Sequence, residues 1–255
     1  MRSEQLSSEP WVSTWTQDPS VAGITRIDPA ELVPTMLTPR ELDYLHWLAH
    51  QIGPRGRVVE LGCFLGGSSV ALVAGLRTSA ASQRKIITYD SFCAPDQAVF
   101  ESAPELKSFG LSPNTSFRNR YEKLNASRMQ AIAIREGLVP PDLAPAEAHT
   151  LYPEQEPISL LFIDLAKAWG VHNSVIRTFA PHLVTDAVIF QQDFGDFRTP
   201  WLIIHMWQLR SAFEPLNRVG DTSSFTFRRT NRSLDPGVIS PAPQAAPQRI
   251  WREIA

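Results

Sequence analysis

Cysteine is almost absent: the chain of 255 residues has 2, Cys63 and Cys93, and they form no CxxC pair. That usage suits a reducing compartment and argues against a cysteine zinc site or a dithiol redox centre. Charge of either sign is also in short supply, with 24 Lys and Arg against 26 Asp and Glu and a net charge of -2. No basic run occurs, so a nucleic-acid partner held by its phosphates is not expected. No apolar stretch approaches the roughly 20 residues that span a bilayer. The opening MRSEQLSSEP lacks the apolar heart of a signal peptide, so the expectation is a cytoplasmic protein with no membrane partner. Glycine is sparse too, 13 in all, yet Gly62, Gly66 and Gly67 fall within six residues.

What is present reads as one α/β domain. Hydrophobic residues make up 43% and charged residues 20%, enough for a single full-sized core. Thr38, Pro39 and Glu41 supply an N-cap, an N1 proline and a capping-box acid, and Leu42, Leu45 and Leu48 then share a helix face until Gly53. From Arg57 onward, apolar runs alternate with helical stretches. The strand candidates are 57–61, 85–90, 130–134, 158–164 and 187–193, with two weaker ones at 215–220 and 223–229 close enough to pair antiparallel at one edge. This predicts a doubly wound, mostly parallel seven-stranded sheet with an antiparallel edge strand and helices on both faces. Residues 37–230 form the domain, 1–36 read as a lid or flexible segment, and 138–157 and 231–255 are a proline-rich insertion and tail. A helix capped by Thr199 and Pro200 and running to Phe213 is apolar almost all round. It suits a wedge between the sheet and its neighbours, or a face that also serves a homo-oligomer.

The stretch VVELGCFLGGSS, Val58 to Ser69, is a buried strand that breaks into a glycine turn and then a helix. In an open parallel sheet, ligands bind beyond the carboxyl ends of the strands, and the first such turn brings backbone against a nucleotide-like molecule. A dinucleotide turn needs GxGxxG. Here the order is ELGxxxGxS, Glu60 before Gly62 and three residues before Gly66. This resembles motif I of the class I S-adenosylmethionine-dependent methyltransferases, a Rossmann-like family, and the resemblance spans about 38–229.

The resemblance implies a cofactor site. It assigns S-adenosylmethionine to Glu60, Gly62, Cys63, Phe64, Gly66, Ser68 and Ser69 around the turn. Asp90 and Ser91 follow the second strand, Asp90 suited to the ribose hydroxyls; Glu136 and Gly137 would meet the adenine, and Asp164 closes the fourth strand. The DSF after that second strand is similar to the macrocin-type sugar O-methyltransferases. Asp164 and Lys167 have a spacing similar to the catechol-type O-methyltransferases, in which the Asp binds magnesium and the Lys takes the acceptor proton. Both families place two further metal ligands, an Asp-Asp or Asp-Asn pair, at the end of the fifth strand, here Gln192 and Asp193. The amide of Gln192 is a weaker ligand than a carboxylate, so magnesium at Asp164, Gln192 and Asp193 stays open.

The expected activity is O-methylation of a small molecule, a natural product or a saccharide. Its catalytic residues are Lys167 as leading base with Asp164 and Asp193 to orient it; His172 and His205 are alternative bases that equally suit packing. Trp169, Phe194, Phe197, Trp201, Trp11 and Trp15 are candidate pocket walls or core residues. Two other readings stay in view: a protein of this fold that binds the cofactor without methyl transfer, and an NAD-dependent oxidoreductase, which the turn spacing disfavours.

Overall fold

A computed structural model describes residues 16–17, 27–28, 31–54, 56–103, 105–165 and 168–234. Helix α1 (Pro39–His50) begins on the capping box read from the sequence. The Glu41 backbone N–H donates to Thr38 Oγ1 at 3.3 Å, and the Thr38 N–H donates to Glu41 Oε2 at 2.8 Å. Strand β2 (Arg57–Leu61) follows, then α2 (Gly67–Arg77), β3 (Ile86–Asp90) and the short helices α3 (Gln97–Ser102), α4 (Glu105–Ser108) and α5 (Arg118–Leu124). Next come β4 (Ile132–Glu136), α6 (Pro145–Leu151), β5 (Ile158–Ile163), α7 (Trp169–Phe179), β6 (Leu183–Gln191), α8 (Pro200–Gln208), β7 (Phe213–Arg218) and β8 (Phe225–Arg229). A two-residue strand, β1 (Thr16–Gln17), pairs with β7.

The sheet runs β1-β7-β8-β6-β5-β2-β3-β4. Every neighbouring pair is parallel except those made by β8, which is antiparallel to both β6 and β7. The antiparallel pair therefore lies at the edge the sequence indicates, with the reversed strand the inner of the two and β1 added outside. Strand order reverses around β2, which has β3 on one side and β5 on the other. Ligand crevices open at such a switch point.

Each face of the sheet carries its own apolar core. On one side α1 and α2 bury Leu42, Leu45, Val70 and Leu72 against Phe162 and Phe190. On the other, α7 and α8 bury Val175, Ile176, Leu202 and Met206 against Leu161, Phe213 and Phe227. The central strand β5 is buried along nearly its whole length, which is why it reads as a continuous apolar run rather than an alternating one. Among the described residues no helix is long and apolar enough to cross a membrane.

Three local expectations change. The run at 130–134 starts its strand only at Ile132, because residues Ala126–Ala131 stay coiled as a 3-10 helix. Arg128 anchors that coil, donating to the carbonyl and the carboxylate of Glu31. Thr199 does not cap α8: its hydroxyl donates to the carbonyl of Asp193 at 2.6 Å instead, and the helix stops at Gln208 so that the chain can enter β7. The proline-rich insertion contains α6, with Pro145 at its first turn, where the missing N–H costs nothing. The tail beyond 234 and most of the N-terminal segment lie outside the described residues.

Candidate active site

The β2–α2 turn is built from glycines that another residue could replace only with backbone strain or a clash. Gly62 has φ 87°, and a Cβ there would lie 3.1 Å from the Asp164 carbonyl carbon, so the ends of β2 and β5 meet backbone to backbone. Gly66 has φ 99°, and a Cβ would fall 2.2 Å from Asn125 Nδ2. Asn125 cannot move aside, since it is fully buried and its amide donates to the carbonyls of Leu65 and Tyr121.

Glu60, Ser68 and Ser69 lie beneath this turn rather than on its open side. Glu60 is fully buried, its Oε2 accepting from Ser69 Oγ at 2.7 Å and Thr88 Oγ1 at 2.6 Å, and Ser69 Oγ reaches Tyr121 Oη at 3.0 Å. Burial raises the Glu60 carboxyl to about 7, against the opposing pull of the Ser68, Thr88 and Ser69 hydroxyls. The residue holds the strand to the helix from inside the core.

Asp90 performs the corresponding task from the open side. Its Oδ2 accepts the backbone N–H groups of Cys63 at 2.8 Å and Phe64 at 3.1 Å, and Oδ1 accepts the Phe92 N–H at 2.8 Å. One carboxylate thus ties the β2 and β3 loops together while still lining the cleft. The Cys63 thiol also points at Asp90 Oδ2, at 3.5 Å. Burial, with the charges of Asp90 and Glu60, pushes that thiol well above its usual range, so it stays protonated and is no nucleophile.

A cleft of about 610 Å³ opens over the carboxyl ends of β2, β3, β5 and β6. One wall carries Gly62, Phe64, Asp90, Ser91 and Gly137; the other carries Asp164, Gln192 and Asp193. Beyond Gln192 and Asp193 a second opening of about 920 Å³ continues past Arg40, Arg198 and Ser223. Gln192, Asp193, Met36 and Arg198 line both, so the pair after β6 stands where the two meet.

No protein-family model and no curated protein matches the chain. Solved structures do match. The O-methyltransferase NovP aligns over 77% of this chain and 82% of its own, at 16% identity and a TM-score of 0.56. Cofactor-bound Rv0187 from MTB aligns over 84% and 94%, at 17% identity and 0.51. The calicheamicin methyltransferase CalS11 aligns over 74% and 77%, at 16% identity and 0.50. The fold is that of the class I S-adenosylmethionine-dependent methyltransferases.

Within this methyltransferase fold, several residues singled out from the sequence sit away from the cleft. Glu136 ends β4 and is ion-paired to Arg118 at 2.9 Å, near the rim but not in the lining. Lys167 lies outside the described residues. His172 and His205 are buried between α7 and α8, Nδ1 to Nδ1 at 2.7 Å, with His172 Nε2 on Gln191 Oε1 at 3.1 Å. Desolvation lowers His172 to about 4 and His205 well below its usual value. Both are neutral packing residues, not bases facing the cleft.

The aromatic expectation also changes. Trp169 stacks on His205 at 4.9 Å, and Phe194 is fully buried against Phe225 and Phe227. Trp201 packs on the α7–α8 core, Phe197 is 89% exposed, and Trp11 and Trp15 lie outside what is described. Their places in the lining are taken by Phe64, Phe117, Leu138 and Met36. Phe64 was legible from the turn; Met36 and Leu138 belong to segments whose composition suggested only a lid and an insertion.

Proposed function

We propose that the chain is an S-adenosylmethionine-dependent methyltransferase that transfers the methyl group to a hydroxyl of a small molecule, a natural product or a saccharide. The observation that carries this reading is the single cleft with Gly62, Phe64, Asp90 and Ser91 on one wall and Asp164, Gln192 and Asp193 on the other. A pocket at a switch point, with glycine backbone on one side and carboxylates on the other, suits a nucleoside and a hydroxylated acceptor side by side.

The residues present fit the cofactor. Gly62, which leaves no room for a side chain, lets the backbone approach the ligand, while Phe64, Ser91, Gly137 and Leu138 flank the space for a nucleoside. Asp90 keeps acceptor capacity beyond its amide bonds, since a carboxylate has about four lone-pair sites. When bound, the cofactor supplies an electrophilic methyl carbon on a sulfonium.

The remaining chemistry belongs to the chain. The acceptor hydroxyl would need a base to take its proton and a fixed position facing that methyl carbon, and both would have to come from the chain's own side chains. Lys167 is the leading base in this reading, with Asp164 and Asp193 orienting it and the acceptor. Holding oxygen and carbon in line supplies much of the rate.

Thermal unfolding with S-adenosylhomocysteine and with NAD tests the cofactor. At about 100 times the dissociation constant, the bound ligand stabilises by roughly 2.7 kcal/mol, a melting shift of about 5 to 10 °C. That shift is expected with S-adenosylhomocysteine; a shift with NAD alone overturns the reading. Formation of S-adenosylhomocysteine from a panel of hydroxylated small molecules tests transfer, and a Lys167→Met variant with full turnover removes Lys167 from its role.

A further inference from the structure

The two residues after β6 offer one carboxylate and one amide, a poorer set for magnesium than two carboxylates. Magnesium is held by hard oxygens, with carboxylates supplying the charge that offsets its dehydration. Here the first residue is an amide that turns its donor toward the second: Gln192 Nε2 donates to Asp193 Oδ1 at 2.6 Å. Ser223 Oγ donates to the same oxygen at 3.3 Å. The amide orientation follows from electrostatics, because the flipped amide would set its own oxygen against a carboxylate oxygen with no proton between them.

A cation stands nearby as well, exposed and ion-paired to Asp196. Arg198 lines both openings, and its guanidinium is raised first by the Asp196 hydrogen bond and charge and further by the charge of Asp193. The backbone holds this arrangement in place. Asp193 has φ 58°, unusual for a residue other than glycine, and its carbonyl accepts the Thr199 hydroxyl at 2.6 Å. Among the described residues no group of three or more His, Cys, Asp or Glu is disposed to hold a metal ion.

We propose that Gln192 takes the place of a divalent cation as the partner of Asp193, so that the acceptor end of the cleft works without metal. Gln192 is then a positioning residue: it orients a carboxylate that a cation would otherwise neutralise and draw inward. The importance of this for methyl transfer rests on the reading above; the metal chemistry itself does not.

Manganese, whose spectrum reports its coordination, is the probe. Titration of the full chain with Mn²⁺, followed by electron paramagnetic resonance, is run on the unaltered protein and on Gln192→Asp and Asp193→Asn. The unaltered protein is expected to bind no Mn²⁺ saturably at millimolar concentration. Gln192→Asp, which restores a second carboxylate, is expected to bind at least about tenfold more tightly. Saturable binding by the unaltered protein that Asp193→Asn abolishes overturns the proposal, as does a Gln192→Asp variant no better than its parent. The S-adenosylhomocysteine melting shift, measured on each protein with and without EDTA, reports folding and cofactor binding separately. Absence of that shift both with Mg²⁺ and with EDTA in the unaltered protein would sink the cofactor assignment, whereas a shift seen with Mg²⁺ and abolished by EDTA would sink the metal-free site alone.

Discussion

The two walls of the cleft are made in different ways. The β2–β3 wall is a backbone structure: two glycines with positive φ, three N–H groups gathered by Asp90, and a buried Glu60 beneath. The β5–β6 wall is a side-chain structure, in which Asp164, Gln192 and Asp193 follow the strand ends and line the cleft. A backbone surface tolerates little change, because every substitution disturbs the loop that makes it. A side-chain surface leaves more room for change, because the loop's course depends less on which side chain it carries. The first wall is therefore suited to a shared ligand and the second to chemistry that differs between proteins.

Breaking the first wall should have the larger effects on stability. Asp90→Ala leaves three backbone N–H groups without their acceptor and is expected to cost about 3 to 5 kcal/mol. It should also remove the melting shift with S-adenosylhomocysteine; retention of both stability and shift would mean that Asp90 does not organise the wall. Gly66→Ala meets both a positive φ and the immobile Asn125, at an expected cost of about 2 to 4 kcal/mol by chemical denaturation. Asn125→Ala in the same chain should recover part of that loss.

Breaking the second wall should leave the fold intact. Asp193→Asn is expected to lower transfer about 100-fold with an unchanged cofactor shift. An equal fall in both measurements would erase the distinction between the walls.

A finer effect comes from Glu60. Its carboxyl is raised to about 7 from an ordinary 4.5, so the folded chain binds the proton more tightly than the unfolded one. Its stabilising contribution is complete below the ordinary range and is lost as pH rises through about 7. Melting of Glu60→Gln should fall less between pH 5 and pH 8 than that of the unaltered protein. Parallel curves for the two would show that Glu60 does not titrate as its burial implies. Last, Leu138→Ala, at a side chain 78% exposed on the rim, should change stability by less than about 0.5 kcal/mol. Any effect should appear in cofactor or acceptor affinity.

Much of the first wall was legible in the sequence because it depends on residue types with narrow uses. Glycine at Gly62 and Gly66, and a carboxylate at the end of a strand at Asp90, mark backbone that must turn sharply and be held. The assignment of Glu60, Ser68 and Ser69 to the cofactor was less direct, since spacing cannot tell which side of a loop a side chain takes. All three are buried, and the side chains of Glu60 and Ser69 bond to each other. Of the aromatic lining, Phe64 was legible from the turn and Phe117 was not. A tryptophan beside a strand end reads the same whether it faces a ligand or, as Trp169 does, a buried histidine.

The sequence by itself determined the alternation of strands and helices, the capped start of α1 and the placing of a glycine turn after the first long strand. These follow from periodicity and from backbone restrictions acting within a few residues. The tertiary structure decided where each polar side chain points. It buried the His172–His205 pair, sent the Thr199 hydroxyl to Asp193 instead of to its own helix, and turned the Gln192 amide onto a carboxylate. Those outcomes depend on which groups from distant strands come within hydrogen-bond reach and on how much water remains, and neither is set by neighbours along the chain.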